Sequence, residues 1–138
     1  MKIIVDSSAI LSILFAESDS DEILIAINSN NCAMSAGNYL ETAIVVDSTK
    51  DPVATRKFDA FIKEAGIEIL SVDTKQVQVA RAAYRDYGKG TEHRAKLNFG
   101  DVFAYALAAT TKRKLLCKGD DFCHTDIAIV DLKSSRGK

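Results

Sequence analysis

The sequence predicts an α/β domain with a central, mainly parallel sheet that helices cover on both faces. Short apolar, β-branched runs alternate along the chain with longer segments whose apolar residues have helical spacing. Strands joined through helices run parallel, because each helix returns the chain to the end of the sheet where the previous strand began, and such crossovers are right-handed. The length of 138 residues, with 47% hydrophobic and 27% charged residues, fits one compact domain with its own core. We expect this domain to span residues 1–132, followed by a short polar C-terminal tail at 133–138.

The first half of the chain contains two strand patterns and four helical patterns. Lys2–Val5 is the first predicted strand, and the serine pair at 7–8 supplies N-cap candidates for a helix that continues to about Glu17. Asp19, followed three residues later by Glu22, predicts a capping box at the start of the second helix. The remaining predicted elements of this half are a strand at 32–35, a helix at 37–48, and a helix from Asp51-Pro52 to Gly66.

The second half repeats the alternation of strand and helix. Its predicted elements are a strand at 67–72, a helix capped by Asp73 that ends near Gly88, a loop at 88–99, a helix that Asp101 opens and that runs to about Lys112, and strands at 115–118 and 127–132. The alternation therefore continues to the end of the domain, as a parallel sheet requires.

Charge and cysteine content exclude several classes of protein. The formal net charge of −1 excludes a broad basic surface, so that any contact with nucleic acid must be local. The three cysteines form no Cys-x-x-Cys pair and stand at no zinc-ligand spacing from the two histidines, which predicts free thiols in a reducing compartment. Asp6 interrupts the N-terminal apolar stretch, which is too short to span a membrane. We expect a cytoplasmic protein with no membrane contact.

Four acidic residues are predicted to meet at one edge of the sheet. Ligands of open α/β sheets bind beyond the carboxyl ends of the strands. Asp6 follows the first strand, Asp120 follows the strand that begins at Leu115, and Asp101 begins a helix that enters from the same side. Glu41 lies in an apolar stretch, where a carboxylate is costly unless a cation or a hydrogen-bond donor meets it. Each acid alone also fits an ordinary cap, turn or surface role, so the prediction rests on their joint occurrence.

Clustered carboxylates indicate a hard divalent cation. Because they repel one another, their pKa values rise unless a cation neutralises them. Oxygen ligands favour Mg²⁺, for which Mn²⁺ can substitute, and either one ion or two fits the pattern. Such a site activates water for in-line attack on a phosphodiester. The predicted chemistry is therefore metal-dependent hydrolysis of a nucleic acid.

Three segments resemble the PIN-domain ribonucleases of the VapC toxin type, in the right order along the whole chain. They are IIVDSSAILSILFAE at 3–17, LNFGDVFAYALA at 97–108 and LLCKGDDFCHTDI at 115–127. The resemblance implies a three-layer α/β/α sandwich and an Mg²⁺-dependent endoribonuclease that leaves a 5′-phosphate. It also implies the toxin of a toxin–antitoxin pair, which forms a homodimer and is silenced by a VapB-type antitoxin.

The same resemblance assigns roles to individual residues. It implies that the metal-binding and catalytic acids are Asp6, Glu41, Asp101 and Asp120, with Ser8 as the hydroxyl beside the first of them. Asp121 is the alternative fourth acid, because some relatives carry Asn at the first position of this doublet and keep Asp at the second. We rank Asp120 higher because we expect it to follow the strand directly.

Basic residues near the predicted site are candidates for phosphate contacts. They are His93, Arg94, Lys96 and Lys118, with Lys112, Arg113 and Lys114 near the last strands as further candidates. Ordinary solvated charge explains each of them equally well. The chain reads His93-Arg94-Ala95 where relatives commonly have His-Pro-Ala, and Val102 replaces a common cysteine after Gly-Asp. Target specificity therefore does not transfer from the family.

Two other classes of function fit parts of the pattern. A phosphotransfer receiver domain is also a small α/β unit with an acidic cleft, but only fragments of its acid and lysine pattern occur in this sequence. A PIN-fold binding module without catalytic activity is the second alternative. The presence of all four acids argues against it.

Overall fold

The structure is a computed structural model that describes residues 2–132, and the predicted polar tail at 133–138 lies outside the described residues. Strands and helices alternate as the sequence predicts. In chain order they are β1 (Lys2–Val5), α1 (Ser7–Leu14), α2 (Ser20–Asn28), β2 (Asn31–Ser35), α3 (Ala36–Ser48), α4 (Pro52–Glu64), β3 (Glu68–Leu70), α5 (Thr74–Tyr87), α6 (Phe99–Thr111), β4 (Leu115–Leu116) and a short 3₁₀ helix at Asp121–His124.

The four strands form one parallel sheet in the order β3-β2-β1-β4. Side chains of β1 alternate between its faces, because successive residues of a strand point in opposite directions. Ile4 packs on one side in a cluster with Leu107 of α6, and Ile3 packs on the other side in a cluster with Ile10 of α1 and Phe58 of α4. The predicted three-layer α/β/α sandwich is confirmed.

The last predicted strand is wrong, and several other elements are shorter than predicted. Residues 127–132 form no strand, and only one isolated bridge joins Ile129 to Leu115. The reason is the length of β4, which has two residues instead of four. Leu115 alone exchanges backbone hydrogen bonds with this segment, through Ala128 and Val130. Likewise, β3 covers 68–70 instead of 67–72, and α1 ends at Leu14.

The capping box predicted at Asp19 and Glu22 is also wrong. Asp19 precedes α2, but its side chain makes no capping hydrogen bond. Its ψ angle of 8° is far from the extended conformation that directs an N-cap side chain toward the helix amides. Within residues 2–132, no helix is long and apolar enough to cross a membrane.

Candidate active site

Asp6 lies where β1 ends and α1 begins. Asp6 is the N-cap of α1, in place of the serines that the sequence suggested. Its Oδ2 accepts hydrogen bonds from the Ser8 backbone N–H at 3.0 Å and from Ser8 Oγ at 2.7 Å. The residue is 3% exposed. Burial raises the pKa of Asp6 to about 7, against the lowering effect of the Ser8 bonds, and the charges of Asp101 and Glu41 raise it further. Asp6 is therefore a buried acid beside two others.

Glu41 reaches the same edge from α3. Its Oε1 accepts hydrogen bonds from Ser7 Oγ at 2.6 Å and from Asn38 Nδ2 at 3.1 Å. Asn38 Nδ2 also donates to the Gly100 carbonyl oxygen at 2.9 Å, which ties α3 to the first turn of α6. These donors offset the cost of placing a carboxylate in an apolar helix.

The Glu41 carboxylate occupies the space that a side chain at position 100 would need. A Cβ atom at Gly100 would lie 2.0 Å from Glu41 Oε2 and 2.5 Å from its Cδ. Real Cβ atoms do not approach other heavy atoms so closely. Only glycine therefore lets Glu41 and the start of α6 share this space.

Asp101 is held by the N-terminal turn of α6. It does not open the helix as predicted: Asn98 is the N-cap, and Asp101 is the third helical residue of a reciprocal capping box. Asn98 Oδ1 accepts from the Asp101 N–H, and Asp101 Oδ2 accepts from the Asn98 N–H, both at 2.9 Å. Burial raises the pKa of Asp101 to about 6; the Asn98 bond lowers it, and the charges of Asp121 and Glu41 raise it.

The two acids of the doublet after β4 face different surroundings. Asp121, the first residue of the 3₁₀ helix, acts electrostatically on Asp101. Asp120 instead lines a separate shallow pocket with Cys123, His124, Ile129 and Asp131. It does not follow the strand directly, because β4 ends at Leu116 and Gly119 turns the chain with a φ of 95°. This placement favours Asp121 over Asp120 as the fourth acid.

In each of the three carboxylates at the sheet edge, one oxygen is held by hydrogen bonds from the described residues and the other is free of them. Hydrogen bonds within residues 2–132 engage one oxygen of each, namely Oδ2 of Asp6, Oε1 of Glu41 and Oδ2 of Asp101. The second oxygen of each accepts no hydrogen bond from this part of the chain. Such outer hydrogen bonds orient metal ligands and leave the ligating atom free.

This donor set fits Mg²⁺. Across residues 2–132, no three Asp, Glu, His or Cys side chains stand close enough to form a complete metal cage. Mg²⁺ does not need one, because it takes one or two carboxylates directly and keeps several waters. The buried Asp6 and the half-buried Asp101, each with a raised pKa and one free oxygen, meet that requirement.

Ser8 links the first acid to the segment after β4. Its Oγ donates to Asp6 and accepts from the Lys118 backbone N–H at 2.9 Å. The Lys118 side chain pairs with Glu17 at 3.0 Å. Its predicted contact with phosphates stays a prediction.

The loop before α6 has a structural role at His93. The His93 ring packs edge-to-face on Tyr87, with 4.9 Å between centroids, and its Nδ1 accepts from the Ala95 N–H at 3.0 Å. Arg94 and Lys96 are exposed, and in the described part of the chain neither forms an ion pair with the acids. Their predicted contact with phosphates stays a prediction.

Lys112, Arg113 and Lys114 lie beside the last strand, as predicted, but not around the acids. These residues precede β4, and β4 runs parallel to β1, with Leu115 opposite Ile4. They therefore lie at the amino ends of the strands, whereas the acids lie at the carboxyl ends.

Sequence reasoning missed four residues that build this site: Ser7, Asn38, Asn98 and Gly100. Two of them left a signal in the sequence. Asn38 precedes Glu41 by three residues, which places both on one helix face, and Asn98 precedes Asp101 by the spacing of a capping box. Ser7 and Gly100 meet Glu41 only through the packing of α1 and α6 against α3.

The two raised pKa values predict how stability depends on pH in the absence of a metal. Folded Asp6 and Asp101 bind protons that the unfolded chain releases between about pH 4 and pH 7, so the free energy of unfolding falls as pH rises through this window. Asp6 alone accounts for roughly 4 kcal/mol. Thermal melts in EDTA across pH 4.5–8 should show this fall in wild type and a flatter profile in Asp6→Asn.

Asp59→Asn is the matched control for these melts, because Asp59 is exposed on α4. It should keep the wild-type profile. A profile that is equally steep in Asp6→Asn would mean that the raised pKa of Asp6 does not cause the fall in stability.

The chain is similar to known proteins over most of its length. The chain matches the PIN domain family over residues 3–128. It is 45% identical over 125 residues to the ribonuclease VapC42 of Mycobacterium tuberculosis, which covers 90% of this chain and 95% of that protein.

Two solved structures are similar at low sequence identity. One is VapC20 of Mycobacterium tuberculosis, described as a toxin that cleaves the sarcin–ricin loop, with a TM-score of 0.72 and 14% identity over 93% of this chain and 98% of that one. The other is VapBC2 of Rickettsia felis bound to a DNA fragment from its promoter, with a TM-score of 0.73 and 14% identity over 95% and 98%. They share the fold described above.

Proposed function

The chain belongs to the PIN domain family, and from that membership we propose that it is a VapC-type endoribonuclease, the toxin of a toxin–antitoxin pair, which cleaves RNA with the help of Mg²⁺. The observation that carries the proposal is the edge of the sheet where three carboxylates each have one oxygen fixed and one free. A relative 45% identical over nearly its whole length is named a ribonuclease, which supports the same substrate class.

Each acid has a place in the proposed reaction. One or two of Asp6, Glu41 and Asp101 would hold the cation directly with their free oxygens, and the rest of this set would hold it through the waters that it keeps. Asp121 would add a further negative charge beside Asp101. A bound Mg²⁺, or Mn²⁺ in its place, would activate the attacking water and stabilise the charge that develops on the phosphate. Hydrolysis adds water across the bond between phosphorus and the 3′ oxygen, so the products are a 5′-phosphate and a 3′-hydroxyl.

The surrounding residues orient the acids. Ser8 fixes the buried acid at the end of β1, Ser7 and Asn38 fix the acid of α3, and Asn98 fixes the acid of α6. Because these donors hold one oxygen of each acid and leave the other open, the acids would need little rearrangement to bind a cation. Preorganisation of this kind lowers the cost of reaching the transition state.

The ends of the RNA products test this proposal. Antitoxin-free protein is incubated with a mixed RNA pool in Mg²⁺, Mn²⁺ or EDTA, and the new termini are identified. We expect cleavage in both metals, none in EDTA, and 5′-phosphate ends. Cleavage in EDTA, with 2′,3′-cyclic phosphate ends, would indicate attack by the RNA's own 2′-hydroxyl and would contradict the proposal.

An exposed apolar face supports a homodimer. Val77 on α5 and Phe99 on α6 are 52% and 75% exposed, and both line an apolar cavity of about 470 Å³ between these helices. Leu40 and Ile44 extend the face along α3, on the side of that helix where Gly37 packs against the Phe103 ring. Exposed apolar patches of this kind mark interaction surfaces.

We expect Val77→Asp to convert the dimer to a monomer in sedimentation experiments, because it places a charge in the apolar contact. Ile25→Asp is the control, since Ile25 is 64% exposed but lies on α2, outside this face. A dimer that persists in Val77→Asp, or a monomer in wild type, would rule out this face as the dimer surface.

The partner that inhibits the enzyme is proposed to be a VapB-type antitoxin. A further structure of similar fold, with a TM-score of 0.69, is a toxin–antitoxin complex from Klebsiella pneumoniae. Copurification of this chain with the product of a neighbouring antitoxin gene, and loss of RNA cleavage in the complex, would support the assignment.

A further inference from the structure

A basic pocket lies at the amino ends of the strands, whereas the acids lie at the carboxyl ends. It has a volume of about 510 Å³. Four cationic side chains line it against a single carboxylate, that of Asp126; the cations are Lys2, Lys112, Arg113 and Lys114. This local excess of positive charge occurs in a chain whose formal net charge is −1.

Two separate segments bring the cations together. Lys2 begins β1, and Lys112–Lys114 lead into β4, which pairs directly with β1. The Lys114 carbonyl oxygen accepts a hydrogen bond from the Ile4 N–H at 2.9 Å, so the basic segment is fixed beside the start of β1. The C-terminus of α6 attracts a cation at Lys112, but it does not account for four cations from two segments.

Most of this charge is not neutralised by the protein. Lys2 pairs with Glu68 at 2.5 Å, and Arg113 lies within electrostatic range of the same carboxylate. Within residues 2–132, Lys112, Arg113 and Lys114 form no ion pair and all three are exposed. The lining carboxylate of Asp126 already accepts a hydrogen bond from the Tyr105 hydroxyl. The pocket therefore has cations available for an anion from outside.

We propose that this pocket is a second phosphate-binding site, where the cations hold the backbone of the RNA substrate at a distance from the bond that is cut. The inference rests on the proposed function, because an enzyme that cleaves RNA meets a chain of phosphates. Lys2 and Asp6 are four strand residues apart, about 13 Å. Asp101 and Lys112 are eleven residues apart along α6, about 16 Å. A long RNA can contact both ends of the sheet, whereas a very short one cannot.

Neutralisation of the pocket tests the proposal. Binding of long poly(U) RNA is measured in EDTA at several salt concentrations, for wild type and for Lys112→Gln/Arg113→Gln/Lys114→Gln. Because each contact with a single-stranded phosphate adds about 0.7 to the slope of log affinity against log salt, we expect the slope to fall by about 2 and the affinity to fall about tenfold or more at moderate salt. An unchanged slope and affinity would overturn the proposal.

The matched control is Lys50→Gln/Arg56→Gln/Lys63→Gln. It removes two lysines and one arginine that are also exposed, and Lys50 has the same left-handed backbone as Lys112, with φ of 57° and 56°. An equal loss in this control would mean that only total charge matters, which contradicts a specific pocket. If the first triple variant does not fold, Lys112→Gln/Lys114→Gln replaces it, with an expected fall in slope of about 1.4.

Cleavage of short RNA separates this proposal from the proposed function. The shortest RNA fragment that wild type still cuts should be cut at the same rate by Lys112→Gln/Arg113→Gln/Lys114→Gln, because such a fragment cannot reach the pocket. If wild type cuts no RNA but the slope still falls in the triple variant, the proposed function fails and the pocket stands. If the triple variant binds RNA normally and loses only its affinity for an acidic antitoxin, the pocket is a protein contact and the proposal is wrong.

Discussion

Asp101→Asn is expected to lose RNA cleavage by about 10³-fold or more while the protein keeps its fold. The substitution removes a negative charge and a free carboxylate oxygen at the centre of the site. The fold should survive, because the asparagine oxygen can still accept the hydrogen bond from the Asn98 N–H that Asp101 Oδ2 accepts at 2.9 Å. Single-turnover cleavage rates and thermal melts measure the two effects.

The doublet after β4 supplies a matched pair for the same assay. Asp121→Asn should reduce cleavage by about 10- to 100-fold, because Asp121 acts on Asp101, and Asp120→Asn should leave it near the wild-type rate. The reverse order would make Asp120 the fourth acid. Full activity in Asp101→Asn would mean that these acids do not form the active site.

Gly100→Ala is expected to cost about 100-fold in cleavage without unfolding the protein. The new Cβ would lie 2.0 Å from Glu41 Oε2, and the carboxylate, as the end of a flexible side chain, moves more easily than the backbone of α6. Its displacement breaks the bonds from Ser7 and Asn38, worth about 1 kcal/mol each. Alanine stabilises a helix by about 1 kcal/mol relative to glycine, which offsets part of that loss.

A double-mutant cycle shows whether Gly100 acts through Glu41. In a Glu41→Gln background, which has already lost the charge, Gly100→Ala should add little further loss of activity. If the two losses multiply instead, Gly100 affects cleavage by another route, and its assigned role as a positioning residue is wrong.

The fold was predictable because its signals are local. Each strand of the sheet appears in the sequence as a short apolar run, and each helix as a periodic one. The missing last strand depends on pairing: residues 127–132 have the composition of a strand, but the two-residue β4 offers only Leu115 as a partner. The sequence of residues 127–132 does not indicate how long the neighbouring strand β4 is.

The candidate site was predictable to a similar degree. Asp6, Glu41 and Asp101 stand out because of where they fall relative to strands, helices and apolar stretches. The sequence does not separate Asp120 from Asp121, because the 3₁₀ helix that begins at Asp121 has no strong sequence signal. The electrostatic effect of Asp121 on Asp101 supports Asp121, which stays a proposal.

The site's remaining parts depend on tertiary packing. Asn38, Ser7 and Gly100 come from three different helices and meet only at the Glu41 carboxylate. The position of Lys112–Lys114, by contrast, follows from strand direction alone, since residues that precede a parallel strand lie at its amino end.

Titration of Mn²⁺ into the metal-free protein, followed by calorimetry at pH 7.5, tests most directly whether the acidic edge is a divalent-cation site. We expect saturable binding to wild type and to Asp120→Asn, and binding at least about tenfold weaker to Asp101→Asn. If folded wild-type protein binds no Mn²⁺, or if Asp101→Asn binds it equally well, the acids do not form the metal site, and a PIN-fold binding module without catalysis becomes the better description.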